Sequence, residues 1–398
     1  MSITIDSSLL GTSEHLCVDH DGFTRVKNVD KESWHLSGEI KLASNRCWDT
    51  ALKLAGKYSL PTPPEKYRKM MSVIIPPGSK VPWSFVIPKA EYQSYFKGMV
   101  SAASVQDVDT SYYENIWVHG NQLLSSLRAA KVDGQLIDKL SAESVHSSST
   151  VSSFAPRGGG YAQPVVYDRF GTVTGRLVVE SGPNILLLKK EHRSILRPST
   201  PGGAIVSLDF SALEARILLY ESGGTCGDED LYESIARRVG STSRSIVKAA
   251  VLAELYGSSK NALALTLGMS HEHLSEFIRK VEEVINTKKL LASLKKQFSN
   301  EGWITNKYGR RIEVSRPQDN IFVNYYAQST GVDVSLYGFN KILNELGLDG
   351  IRPLFVLHDA LILDVREDRL KNVESMKSVS VPGYSSKFPL KLEMLQGQ

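Results

Sequence analysis

The chain has 398 residues, with 47 Lys and Arg against 43 Asp and Glu, and 41 % of it is hydrophobic, which supports a sizeable core and excludes wholesale disorder. No apolar run approaches the roughly 18 residues of a membrane span, the N-terminus lacks a basic-then-apolar signal pattern, and Cys17, Cys47 and Cys226 have neither metal nor disulfide spacing, which suits a reducing cytoplasm. A net charge of +4 does not by itself demand a nucleic-acid partner.

Residues 1–110 mix short apolar runs with Pro-rich breaks at 60–64 and 75–78 and show no repeat. Residues 112–145 place Ile116, Val118, Leu123, Leu124, Leu127, Leu136, Ile137 and Leu140 at largely helical spacing. A Ser/Gly-rich connection over 147–160 follows. Next come Thr174-Gly-Arg176, with a glycine at a turn and a cation beside it, and Pro183-Asn184. Cations gather at Lys189, Lys190, Arg193 and Arg197, and again at Lys288, Lys289, Lys295 and Lys296. Such groups can track phosphates, though a solvated face is the usual explanation for any one of them.

Residues 204–208 read as a short buried strand ending at Asp209, and 211–220 as a helix that carries Glu214 one turn later. A lone strand-end Asp more often caps the next helix. Its company further along changes the weight. Asp230 to Val239 is a short amphipathic helix. Arg244, Lys248, Leu252 and Tyr256 then fall four apart before Gly257, with Ser241, Thr242 and Ser243 offered as N-caps. These four make one broad stripe about 18 Å long, with cations at the end where the helix dipole favours anions and a ring at the other. That fits a nucleoside triphosphate laid along a helix. Residues 306–314 read as a hairpin around Gly309, Arg310 and Arg311, and 328–346 as a helix. Residues 354–365 are two apolar runs around His358-Asp359, a tight hairpin with Asp359 at its tip. Two carboxylates on separate rigid elements, Asp209 and Asp359, suit two Mg²⁺ ions for in-line phosphoryl displacement.

With these motifs in order, the chain resembles the family A DNA polymerases, the group of bacterial DNA polymerase I and many phage replicases. Asp209-Phe-Ser-Ala-Leu-Glu-Ala-Arg216 resembles motif A, Arg244-x3-Lys248-x7-Tyr256-Gly257 motif B, and His358-Asp359 motif C. Thr174-Gly-Arg-Leu177 with Pro183-Asn184, and Asn324-x3-Gln328, resemble two further family segments. All stand in the family's order over residues 165–398. The resemblance implies a mixed α/β (α+β) fold with right-hand polymerase architecture, an antiparallel palm sheet, and helical fingers and thumb. Its expected parts are an N-terminal region of unknown role over 1–110, thumb 111–165, palm 166–217, fingers 218–317 and palm again 318–398.

The resemblance also implies roles for single residues. Asp209 and Asp359 hold the metals. Arg244 and Lys248 neutralise the triphosphate, and Lys248 is expected to protonate the leaving pyrophosphate. Leu252, Tyr256 and Gly257 bound the nascent base pair, Glu214 blocks a ribose hydroxyl, and Tyr232 stands where the family usually has a triphosphate-binding His. Arg176, Arg193, Asn324, Gln328, His358, Arg310 and Arg311 are expected DNA contacts. An Arg in the minor groove reads pairing geometry and not sequence. The partners implied are primer–template DNA, dNTPs and a processivity or replisome factor, acting on a monomer in a bacterial or phage-infected cytoplasm. Family members often carry an upstream proofreading exonuclease built on an Asp-x-Glu strand. Asp30-Lys-Glu32 has that spacing but no apolar strand before it, so proofreading is not expected. Phe210, Ala360, Tyr232 and Leu252 depart from the family pattern. Two rivals are a single-subunit RNA polymerase, which would want a small residue where Glu214 stands, and a catalytically impaired DNA-binding homologue.

Overall fold

The computed structural model describes residues 2–30, 33–36, 46–56, 62–74, 81, 83–105, 107–143, 148–241, 243–257 and 260–397. Two compact units divide the chain at Met1–Val118 and His119–Gln398, a few residues beyond the boundary expected at 110. No helix among the described residues is long and apolar enough to cross a membrane.

The first unit contains a four-stranded sheet in the order β3-β2-β1-β4, from β1 (Ile3–Ile5), β2 (His15–Asp19), β3 (Gly22–Val26) and β4 (Trp34–Leu36). β1 pairs antiparallel with β2 and parallel with β4. Behind it Trp34 meets Trp48 edge-on at 5.4 Å and Tyr113 at 5.0 Å. The polar ends of these rings are satisfied: Trp48 Nε1 donates to Ala102 O (2.9 Å), and the Tyr113 hydroxyl accepts from Cys47 N (2.9 Å). Sequence patterning gave this sheet no signal, because its strands are only three to five residues long. Lys31 and Glu32 of the Asp-x-Glu spacing lie outside the described residues, as do 60–61 and 75–78 of the Pro-rich breaks.

The second unit is built on a five-stranded sheet in the order β10-β11-β7-β13-β12. Its members are β7 (Ala204–Phe210), β10 (Ile351–Leu357), β11 (Ala360–Val365), β12 (Ser378–Val379) and β13 (Phe388–Gly397). Two smaller hairpins accompany it, β5 (Val166–Asp168) with β6 (Val178–Ser181) and β8 (Trp303–Thr305) with β9 (Arg311–Glu313). β7 and β11 are central and largely apolar: Ile205, Val206, Leu208, Leu361, Ile362 and Leu363 are each fully buried. Burying each such side chain contributes roughly 1.5–3 kcal/mol. A continuous apolar run flanked by strands on both sides is what a central strand requires. The one charge inside β11, Asp364, is compensated by Ser199 N (3.2 Å) and Arg352 Nε (3.9 Å).

Across this sheet lies the 28-residue helix Asp319–Leu346, about 42 Å long at 1.5 Å per residue. It starts well before the expected 328, so Asn324 and Gln328 stand one turn apart on the same helix. Gly338 lets it approach: a Cβ there would lie 2.9 Å from Phe210 Cζ. Phe210 in turn packs on Phe339 (5.0 Å) and Phe388 (6.3 Å), an apolar nest in which a ring without a hydroxyl fits.

Three expected boundaries shift for physical reasons. β7 continues through Asp209 to Phe210, because Asp209 is paired on both sides, with Ala360 of β11 and Lys391 of β13. The next helix begins at Leu213 and not at 211, because Ala212 takes a left-handed conformation (φ 52°). The hairpin expected over 306–314 has its strands further out, at Trp303–Thr305 and Arg311–Glu313, and residues 306–310 form the turn. The helical expectation over 112–145 holds for Tyr113–Trp117, Val118–Ser126 and Gly134–Glu143, with residues 127–133 non-helical.

Candidate active site

Asp209 enters the site on a central strand, and the left-handed turn at Ala212 follows it at a cost of roughly 1–2 kcal/mol for a residue with a Cβ. Asp359 enters on the two-residue turn between β10 and β11, where His358 also takes a positive φ (56°). The two elements are tied directly: Phe210 N donates to Asp359 O (3.1 Å), and Ala360 is the register partner of Asp209. Two carboxylates are thus held on neighbouring strands. Burial and then the charge of Asp359 push Asp209 up to about 7, with Glu393 adding to the shift and Lys391 and Arg193 opposing it. Burial likewise raises Asp359. Asp209 Oδ1 is buried and has no hydrogen-bond partner among the described residues. Buried anionic oxygens without donors suit a hard divalent cation.

Beside them is a cavity of about 410 Å³ whose lining includes Arg176, Glu214, Tyr232, Leu252, Tyr256, Gln328, His358 and Asp359. These residues come from six separate segments of the sequence, and the fold gathers them on one void. Glu214 is clamped there: its Oε2 accepts from the Tyr256 hydroxyl (2.5 Å) and its Oε1 from Arg176 Nη2 (2.9 Å). Burial, then the bond to Glu214, lifts Tyr256 to about 12, so the hydroxyl keeps its proton.

The basic stripe forms as its spacing predicts. The helix spans Arg244–Tyr256, Ser243 Oγ accepts from Ile246 N (3.4 Å), and Gly257 closes it in the left-handed conformation (φ 73°). Thr242, another of the three expected caps, lies outside the described residues. Arg244 and Lys248 both sit over the ring of Tyr232, at 5.4 and 6.0 Å. Burial raises Tyr232 to about 12, so a neutral phenol stands beneath two cations. Arg244 Nη2 also pairs with Asp230 Oδ2 (2.6 Å), while Asp230 Oδ1 accepts from Tyr232 N and Glu233 N and so caps the helix Leu231–Val239. Asp230 is thus the cap and not the first helical residue expected, and the ion pair has no local signal in the sequence.

Of the expected DNA contacts, Gln328 lines the cavity and its Nε2 donates to Asn324 Oδ1 (2.8 Å), while Asn324 Nδ2 reaches Leu255 O (3.3 Å). Arg193 stands near enough to Asp209 to oppose its upward shift. Arg311 stacks on Trp303 (3.9 Å) and pairs with Glu313 (2.7 Å). Arg310 is another of the expected DNA contacts. It is buried, its Nη2 donates to Arg169 O (3.1 Å), and a Cβ on Gly175 (φ 80°) would lie 2.4 Å from its Cζ. It stands as a strut beneath the turn that presents Arg176. A residue that sequence reasoning missed is Arg216. Fully buried, it donates to Ser211 O (2.9 Å), Cys226 O (3.0 Å), Gly227 O (3.1 Å) and Glu229 O, pinning the loop that leads to Asp230.

Comparison with known proteins places this arrangement. The chain is 26 % identical over 329 residues to a DNA polymerase I of Rhizobium leguminosarum, covering 70 % of this chain and 31 % of that protein. It is 30 % identical over 175 residues to a DNA polymerase of Mycobacterium phage L5, covering 41 % of this chain and 28 % of that protein. The chain thus spans about a third of the length of these curated relatives. Among solved structures, the POL domain of Pol1 from M. smegmatis, in complex with DNA primer-template and dNTP, superposes with a TM-score of 0.64 at 15 % identity, over 96 % of this chain and 92 % of that one. The fold is therefore the right-hand polymerase architecture. The sequence profile of DNA polymerase family A matches residues 120–398, the unit that holds both paired aspartates, the basic helix and the cavity between them, and the chain belongs to that family.

Proposed function

We propose that this protein is a DNA-directed DNA polymerase that extends a primer 3′ end with dNTPs, using two Mg²⁺ ions held by Asp209 and Asp359. The observation that carries the reading is the convergence on one cavity: Asp359, the Glu214–Tyr256–Arg176 clamp and Leu252 line it, and Asp209 is register partner to the residue after Asp359. Paired Mg²⁺ ions, when bound, would make the attacking oxygen a better nucleophile and offset charge on the leaving one. Asp209 fits them through Oδ1, buried and without a hydrogen-bond partner among the described residues, and Asp359 adds a second partly buried carboxylate beside it.

The chain's own residues would do the rest. Arg244 and Lys248 bind the triphosphate near the N-terminal end of their helix, with Tyr232 fixing both cations from below, and Lys248 supplies a proton to the leaving group. Tyr256 and Gly257 floor the new base pair. Glu214, immobilised from two sides, stands where a ribose 2′-hydroxyl would need room. Arg176, with Gln328 and Asn324 behind it, faces the primer end, and Arg193 and His358 flank the aspartates. In this reading residues 111–165 are the thumb, 166–217 and 318–398 the palm, and 218–317 the fingers. The test is primer extension by the purified chain with Mg²⁺ and either dNTPs or rNTPs. Template-dependent extension with dNTPs supports the reading; preferential use of rNTPs, or DNA binding with no extension, overturns it.

A further inference from the structure

A second, open cleft of about 560 Å³ is lined by Ser211, Asp228, Asp230, Glu374, Lys377 and Lys391, among others. It borders the nucleotide site through two of these residues. Asp230 is the ion-pair partner of Arg244, and Lys391 is the β13 residue opposite Asp209 on β7, on the same face of the sheet. The strand edge that presents the lysines is fixed: Ser211 N donates to Pro389 O (2.9 Å) and Leu390 N to Lys377 O (2.7 Å).

The lining says what would dock. Two lysines stand among three carboxylates, of which Asp230 is already held by Arg244, and Pro389, Leu390 and Leu392 complete the lining. A small, multiply charged anion that travels with a divalent cation matches both signs at once. The reaction proposed above makes one. As the bond from the primer 3′-oxygen to the α-phosphorus forms, the bond from that phosphorus to the bridging oxygen breaks; the 3′-hydroxyl proton passes to water, and pyrophosphate departs with the electron pair and takes up the proton that Lys248 supplies. We infer that this cleft is the docking site for pyrophosphate on its way out: Lys391 and Lys377 draw it from the basic helix, and Asp230 recaptures Arg244 as it goes. The inference rests on the polymerase reading and extends it to product release.

The experiment compares the full chain with Lys377→Gln, Lys391→Gln and the double variant. Calorimetric titration with inorganic pyrophosphate and Mg²⁺, without DNA or nucleotide, gives binding; pyrophosphorolysis of a primer–template gives the KM for pyrophosphate, and extension gives the KM for dNTP. Each single variant should weaken pyrophosphate about threefold or more in both assays, more in the double, with the dNTP KM of Lys377→Gln changed by less than about twofold. Unchanged pyrophosphate binding in the double variant would overturn the inference. So would a dNTP KM that rises in step with that for pyrophosphate in Lys377→Gln, since the lysine would then act on the intact triphosphate. A chain that binds pyrophosphate through these lysines yet never extends a primer would instead overturn the polymerase reading, and with it the exit role.

Discussion

The clamp on Glu214 makes a graded prediction about sugar selection. Its side chain is 19 % exposed and its two oxygens are held separately, by the Tyr256 hydroxyl at 2.5 Å and by Arg176 at 2.9 Å. A hydrogen bond to a charged group contributes about 1.5–3 kcal/mol. Tyr256 is 45 % exposed, so the lower end applies, about 1.5 kcal/mol, or roughly tenfold. Tyr256→Phe removes only that bond and leaves Arg176 in place. It should raise the rNTP to dNTP ratio of kcat/KM by about threefold to tenfold. Glu214→Ala removes the wall itself and should raise the ratio further, with some loss of dNTP rate. Single-nucleotide incorporation on one primer–template, with matched rNTP and dNTP, measures both. A ratio within about twofold of wild type for Glu214→Ala, or a larger effect in Tyr256→Phe than in Glu214→Ala, would refute the reasoning.

Other contacts carry three more predictions. Leu252 lines the nucleotide cavity where the family usually carries a ring; Leu252→Phe should raise kcat/KM for dNTP about threefold to tenfold, and Leu252→Tyr should relax discrimination against dideoxynucleotides, whereas no change beyond about twofold in either variant would mean that the side chain does not meet the nucleotide. The Asp209 carboxyl lies near 7 in the folded chain against an ordinary 3.8, so the folded state holds a proton that the unfolded chain gives up. Without metal, that contribution to stability is full below about 4 and lost as pH rises through about 7. A bound Mg²⁺ replaces the proton, so the rise in Tm with Mg²⁺ should be small at low pH, grow toward alkaline pH and vanish in Asp209→Asn; a pH-independent rise contradicts the assignment. Arg216→Met strands the carbonyls of Cys226, Gly227 and Glu229 and should lower stability by roughly 3 kcal/mol or more, read as a fall in the denaturant midpoint, and a midpoint within about 0.5 kcal/mol of wild type would show the loop is held otherwise.

Much of the second unit could be read from the sequence because its signals are local. Residues 204–208 and 354–365 are apolar runs that read as buried strands, and Asp209, His358 and Asp359 interrupt them. Arg244, Lys248, Leu252 and Tyr256 are spaced by the helix period, and Ser243 and Gly257 cap it as their chemistry predicts. What could not be read depends on tertiary pairing. Nothing local says that Ala212 turns left-handed, that Asp230 meets Arg244 fourteen residues on, or that Arg310 lies under Gly175. An Arg in a Gly-Arg-Arg turn gives no sign in the sequence that a neighbouring turn rests on it. The mixed sheet of the first unit stayed hidden because a three-residue strand such as β1 or β4 is too short to show a period.

The central claim is that Asp209 and Asp359 hold the metals for nucleotidyl transfer. Single-turnover primer extension by Asp209→Ala and Asp359→Ala, with primer–template binding measured on the same samples, tests it most directly. Each variant should bind primer–template within a few-fold of wild type yet lose extension by about a thousandfold or more, the scale expected when charge stabilisation of a phosphoryl-transfer transition state is removed. Extension within about tenfold of wild type in either variant, at undiminished DNA binding, would contradict the account.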